Sequence, residues 1–341
     1  MKKSTILLLF VSSLLTFQAC TDTATTTDPK TVPGVAKTGN PVIDALSQKI
    51  LENPNDNDLL MKRAELFYEY EGFDEALADV AKVLQTDSIN VDALHLLANV
   101  YMDYNRSRQG LLTMEKAASL YPERIPTLLK LSEFQLILKQ HSESLATIDK
   151  VLRLNPRNAD AFMMLGMNFE SKGEISRAIN SYQKAVENDP DKADIWMKLG
   201  TLLAQEEKPI AITYFDNAIR ADATNPDYPY AKGQYLHNKN QLDAALEMYS
   251  AATKLDPDYS EAYFSTGIIH LERQEWEKAA DLFNIATQTD PMHVRAYYYK
   301  GYVAEATGNK TAAKNHYEQA LKLAPGYAKA EEGLLRLRSV N

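Results

Sequence analysis

The sequence predicts an all-α array of stacked helical hairpins, and three observations lead to it. The stretch from Ser260 to His293 is a thirty-four-residue unit that recurs along most of the chain. In five consecutive copies a glycine at the eighth place (Gly166, Gly200, Gly233, Gly267, Gly301) coincides with an alanine at the twentieth (Ala178, Ala211, Ala245, Ala279, Ala313) and a ring at the twenty-fourth (Tyr182, Phe215, Tyr249, Phe283, Tyr317). Prolines at the thirty-second place (Pro122, Pro156, Pro190, Pro257, Pro291, Pro325) end each second helix, because the ring and the missing amide stop helical continuation. Self-similarity at this period means that each unit buries its apolar face on its neighbours, so 341 residues need not divide into compact domains.

The elements follow in order. Lys2 and Lys3 precede Ile6 to Leu15, the charged and apolar parts of a secretory signal, which assigns residues 1–19 to a signal peptide. That apolar run is too short for a spanning helix, which needs about twenty residues. Phe17-Gln18-Ala19-Cys20 resembles the lipobox of bacterial lipoproteins, in the relaxed form found in Bacteroidetes-type bacteria. The resemblance implies cleavage before Cys20, acylation of its sulfur (palmitate) and lipid anchoring in the bacterial envelope, at the outer membrane. An ordinary signal peptide would want a small residue where bulky Phe17 stands. Cys20 is the single cysteine, so no intramolecular disulfide and no multi-cysteine metal site can form. Residues 20–40 are rich in threonine and read as a tether, at most about 70 Å long when extended.

Residues 41–54 carry Val42, Leu46 and Ile50 at helical spacing and read as an amino-terminal capping helix. Eight units follow at 57–90, 91–124, 125–158, 159–192, 193–225, 226–259, 260–293 and 294–327, and residues 328–341 read as a carboxy-terminal capping helix. Caps are required because an end repeat has no neighbour to cover its apolar face. The first three units keep the spacing with other packing residues: Ala64, Ala98 and Ser132 at place eight, and Val80, Met114 and Ile148 at place twenty-four. The fifth unit lacks a residue near Lys208-Pro209, and Pro226 and Pro229 open the sixth. There we expect a helix that starts late, capped by Asp227 or Tyr228 with Pro229 at its opening position, and a local change of superhelical angle.

In Ser260 to His293, Tyr263, Gly267, Ala279, Phe283, Ala286 and Pro291 resemble the tetratricopeptide repeat (TPR) signature. The resemblance implies a right-handed TPR superhelix, an α-solenoid of about eight helix-turn-helix repeats with capping helices. It also implies that places 2, 5, 9, 12 and 13 of the first helices line a concave groove that takes protein or peptide segments. Transferred to this chain, the groove residues are Met61, His95, Asn99, Met163, Met167, Tyr230, Gln234, Phe264, Ile268, Leu271, Tyr298 and Tyr302, with Leu129, Glu133, Leu136, Ile137, Glu170, Met197 and Thr201 beside them. Phe264, Ile268 and Leu271 with Tyr230 and Tyr298 form the expected main contact strip. The competing reading of each is packing against the next repeat. Acids at place two, such as Asp92, Asp160 and Glu261, suit the positive end of a helix. The carboxylate clamp of chaperone-type members needs Lys, Asn and Arg at set places; only Asn99 matches, with Met61 and His95 where lysine would serve.

Chemistry is sparse. The six histidines make no HExxH pair, there is no GxGxxG, and Gly308-Asn309-Lys310-Thr311 falls where each unit turns between helices. We expect no enzyme activity, metal or cofactor. The formal charge of −9, or −11 after loss of Lys2 and Lys3, without a basic run, argues against nucleic acid as the main partner. The expected function is that of a membrane-anchored scaffold for protein segments in an envelope complex. The alternative is a surface glycan receptor, a class that also carries TPR helices.

Overall fold

The computed structural model describes residues 38–339, which contain eighteen helices and no strand. The signal peptide, Cys20 and nearly all of the tether lie outside the described residues. The chain divides into two compact units, one ending at Thr86 and one beginning at Asp87.

In the first unit, α1 (Pro41–Glu52) starts where Asn40 accepts the amides of Val42 and Ile43 at 2.9 and 3.3 Å, with Pro41 as first helical residue. Asp56 caps α2 (Asn57–Glu69), and α3 (Phe73–Thr86) completes the hairpin. Ile43, Ile50, Leu60, Ala64, Ala76, Val80 and Val83 are buried. A polar clasp crosses this apolar interior: Arg63 donates through both arms of its fork to Asp79 at 2.7 Å and through its third nitrogen to Ser47 at 2.8 Å. Asp79 is only 2% exposed, so removing either partner would strand a charge out of water.

The second unit is a run of seven helical hairpins and a last helix. The hairpins are α4 (Val91–Asp103) with α5 (Ser107–Leu120), α6 (Ile125–Ile137) with α7 (His141–Leu154), α8 (Ala159–Ser171) with α9 (Ile175–Asn188), and α10 (Ala193–Gln205) with α11 (Ala211–Ala221). Then come α12 (Asp227–Asn238) with α13 (Leu242–Leu255), α14 (Ser260–Glu272) with α15 (Trp276–Thr289), α16 (Val294–Ala306) with α17 (Lys310–Leu323), and finally α18 (Ala328–Ser339). Each helix packs on the next, and first helices also meet across repeats, α6 on α8, α10 on α12 and α16 on α18.

The glycine and ring coincidence is explained by close approach. A Cβ on Gly166, Gly200, Gly233, Gly267 or Gly301 would lie 2.4 to 2.8 Å from the ring of Tyr182, Phe215, Tyr249, Phe283 or Tyr317 respectively. Such a contact is impossible without moving a buried ring, so the two residues are one packing decision. Repeat three solves the same problem with hydrogen bonds. Ser144 donates to the Ser132 carbonyl at 2.8 Å, Asn168 donates to Ser144 at 2.9 Å, and Thr147 donates to Gln135 at 2.8 Å.

Two regularities are invisible in the composition. The fifteenth place of every unit, between its helices, holds a left-handed residue: Glu71, Asn105, Lys139, Gly173, Glu207, Asn240, Gln274 and Gly308 have φ between 55 and 81°. In the second unit, acids at place two clasp residues at the amino end of the next first helix. Asp92 faces Arg124 at 3.5 Å, Asp160 faces Lys192 at 2.8 Å, and Glu261 faces Arg295 at 2.6 Å. Asp194 accepts from the Tyr228 hydroxyl at 2.7 Å and Asp227 from Tyr259 at 2.5 Å, completing the series.

The junction of repeats five and six differs from expectation. Pro226, not Asp227 or Tyr228, precedes α12 and supplies no side-chain cap. Pro229 is the third helical residue rather than the first. Proline is tolerated there because the first four amides of a helix have no intrahelical partner. The unit is one residue short, but α11 is three residues shorter than α9 and α13, eleven against fourteen, and begins after Pro209.

Candidate functional site

First helices present their faces side by side in the second unit, and hollows open along them, of which a middle and a late groove hold most of the candidate residues. The middle groove spans repeats three to five, with a volume of about 680 Å³. Its floor is Leu136 and Ile137 from α6, Met163 and Met167 from α8, and Ile195 and Met197 from α10. An adjoining hollow of about 340 Å³ shares Met163 and Met167 and adds Leu129. Ile137 and Met167 are 55% and 39% exposed, so large apolar groups stand in water here. Unbranched thioether side chains of this kind adapt to irregular apolar partners. Charges sit at the lips: Lys139, Glu170, Asp194 and Lys198.

The late groove, of about 420 Å³, is polar by comparison. Gln234, His237, Asn238, Tyr249, Phe264, Ser265, Ile268, Arg295, Tyr299, Tyr327 and Lys329 line it. Tyr230 lies among the rings of Tyr249 and Tyr259, at 5.7 and 5.2 Å, and its hydroxyl takes the Gln234 amide at 2.9 Å and lies 3.3 Å from the Ser265 hydroxyl. Burial pushes the Tyr230 hydroxyl pKa up, so it stays protonated at neutral pH. His293 accepts the Ala296 amide through Nδ1 and so caps α16. Its Nε2 is buried without a hydrogen bond, although a Glu261 oxygen lies 3.5 Å away. Desolvation, the larger influence, lowers its pKa and leaves the ring neutral at pH 7, which suits an accepting Nδ1.

The expected contact strip is only partly open to the late groove. Phe264 and Tyr298, 5% and 9% exposed, lie mostly in the core, although Phe264 still contributes to the groove lining and Tyr298 does not. The amino end of α16 covers Phe264, with its capping His293 at 4.9 Å and Tyr299 at 5.6 Å, and the Arg295 guanidinium lies 4.4 Å over the ring. Tyr298 is enclosed by Tyr317 and Tyr327 at 5.7 and 5.8 Å. Place five accommodates a large ring only by turning it into the interface between repeats. Leu271 packs on the α15 side of the same core, whereas Ile268 and Gln234 do line the late groove. Tyr302, 38% exposed, stands outside the linings of both grooves.

The earlier candidates are scattered. Met61 is half-buried on α2 of the first unit. His95 and Asn99 are half-buried on α4, with His95 Nε2 3.0 Å from the Thr127 hydroxyl. Burial first, and then the Arg124 charge, lowers the His95 pKa. Cys20 lies outside the described residues. Sequence reasoning missed Lys139, Ile195, Tyr299, Tyr327 and Lys329, none of which occupies a groove place of the repeat signature. Gly308 has φ +81° and Asn309 caps α17, so the Gly308 to Thr311 stretch is a helix-to-helix turn. Among the described residues no cluster of three His, Cys, Asp or Glu is placed to hold a metal, and no helix is long and apolar enough to cross a membrane.

Three segments match tetratricopeptide-repeat family models: residues 169–206, 230–291 and 294–327. Among solved structures, the C-terminal part of a TPR repeat-containing protein from Cytophaga hutchinsonii superposes with a TM-score of 0.56 at 19% identity, covering 70% of this chain and 98% of that one. PilF from Pseudomonas aeruginosa gives a TM-score of 0.52 at 18% identity, over 62% of this chain and 97% of that one. The Cut9–Hcn1 heterotetramer of the APC/C gives 0.51 at 19%, over 86% of this chain and 58% of that one. At these identities the likeness concerns the fold alone. Protein O-mannosyl-transferase TMTC1 of Mus musculus is 26% identical over 138 residues, 39% of this chain, and the match spans 11% of that protein. With the glycine-on-ring hairpins and these matches together, the described residues form an all-α solenoid of tetratricopeptide repeats.

Proposed function

We propose that this protein is a non-catalytic scaffold, held to the bacterial outer membrane through lipid on Cys20, that binds protein segments and assists the assembly or organisation of an envelope complex. The observation that carries the binding reading is the middle groove, where Ile137, Met163, Met167 and Met197 leave a continuous apolar trough uncovered on rigid helices. The anchoring reading rests on the signal anatomy and the Phe17 to Cys20 motif. A photoreactive residue placed at Met167 should crosslink to discrete proteins in intact membranes, and the adducts should vanish when Met163 and Met197 are both replaced by Lys. The same probe at Lys116, exposed on α5, is the control. Equal adducts at both positions would remove the groove from the argument. Cys20→Ser should abolish fatty-acid labelling and release the protein from membranes; full retention would overturn the anchor.

A second reading attaches to the late groove. Gln234, Asn238 and Arg295 stand beside Tyr299 and Tyr327, residue types that hydrogen-bond and stack on a sugar. Calorimetry against soluble polysaccharides checks it, with loss of heat in Tyr327→Ala as the expected sign.

A further inference from the structure

We propose that the segment held in the middle groove carries a carboxylate at the end that lies over α6, where Lys139 receives it. This rests on the reading of that groove as a peptide site and adds the chemistry of the occupant. The argument comes from the charges around the trough, nearly all of which are satisfied internally. Lys130 meets Glu133 at 3.1 Å, Asp160 meets Lys192 at 2.8 Å, and Glu170 takes Lys198 at 2.7 Å and the Tyr182 hydroxyl at 2.8 Å. Asp194 accepts from Tyr228 and sits in the first turn of α10, where the helix end favours an acid. Lys139 alone among these charges has no side-chain partner among the described residues.

Its root is fixed. Lys139 occupies the left-handed place of the α6–α7 turn with φ 58°, its amide donates to the Leu136 carbonyl at 2.8 Å, and the next amide donates to Gln135 at 2.7 Å. A flexible ammonium on a rigid base at the lip of an apolar trough can follow a ligand charge without ordering any backbone. When a partner covers Leu136, Ile137 and Met167, water leaves the lip and the Lys139 charge is felt more strongly. An acid there is then favoured, a neutral residue leaves an ammonium partly desolvated, and a second cation is repelled. Packed helices lie about 8–10 Å apart, so α6, α8 and α10 span roughly 20 Å. That is about six residues of extended chain, which places the acid at one end and the apolar side chains over α8 and α10.

The test uses three fluorescein-labelled decapeptides with one Leu and Met core, flanked at one end by Glu, Gln or Lys, titrated by anisotropy into the protein and into Lys139→Glu. Lys139 is exposed, so the variant should keep the parent's unfolding midpoint, which a urea melt confirms. We expect the Glu peptide to bind about fivefold to tenfold tighter than the Lys peptide, and the order to reverse in Lys139→Glu. Binding of all three peptides with equal strength to both proteins would overturn the carboxylate inference and leave the groove standing. Binding of none of them to either protein would overturn the groove reading, and this inference with it.

Discussion

The middle and late grooves are made by corresponding first helices of different repeats, yet they hold their large side chains differently. In the middle groove, the methionines and Ile137 at the groove places stand over a core closed by residues such as Leu199 and Ile195, and remain partly in water. In the late repeats the groove places hold rings, and Phe264 and Tyr298 turn into the core, where they meet Phe283, Tyr299 and Tyr317. A flexible chain can lie on a surface, whereas a broad ring gains more by leaving it for an interface that will accept it. Residue size at a groove place therefore does not measure what a ligand would meet.

The largest effect that could break this contrast is on stability. Phe264→Ala should cost about 3–5 kcal/mol in urea unfolding, the ordinary loss for a buried ring. Met167→Ala should stay within about 0.5 kcal/mol, as for other exposed side chains. A harmless Phe264→Ala would return the late strip to the list of ligand contacts.

Of intermediate size is the closure of the late half by α18. Arg336 grips Glu305 through two 2.9 Å bonds, and Tyr317 donates to it at 2.5 Å. The Arg336 bonds, chiefly, hold the Glu305 carboxyl below its ordinary 4.5. A depressed folded-state value means that the unfolded chain binds the proton more readily, so the contribution is full above about pH 4.5 and disappears as pH falls through the folded value. Glu305→Gln should cost about 1 kcal/mol at pH 7, discounted for the half-exposed arginine. Parent and variant should converge in acid, and a constant gap across the pH range would contradict the assignment.

The smallest effect should be common to both halves. Gln274→Gly in the late half and Lys139→Gly in the middle relieve left-handed strain, each raising stability by roughly 0.5–1 kcal/mol. Lys139→Gly should also erase the peptide flank preference. A gain at one site and not the other would show that the turns are not equivalent.

The fold was legible because it repeats. One glycine facing one ring is a coincidence, but Gly166 to Gly301 in step with Tyr182 to Tyr317 leaves a thirty-four-residue stack as the economical reading. The candidate site was only half legible. Met163 and Met167 were found through the groove places, while Lys139 was not, because its reach into the trough depends on where the α6–α7 turn aims it. How little of Phe264 reaches the groove was not legible, because place five faces both the groove and the next first helix, and only the packing of His293 and Tyr299 decides how much of the ring stays open. The Arg63–Asp79 clasp was missed for a related reason: nothing in a sixteen-residue separation marks two charges as buried partners.

The place-two clasps give the second unit a mechanical character. Each ties one first helix to the amino end of the next, as Asp160 does to Lys192 and Glu261 to Arg295. A pull on the two ends of this unit would load these ties in series, so that the weakest would yield first while its neighbours stayed shut. Extension would then proceed one hairpin at a time.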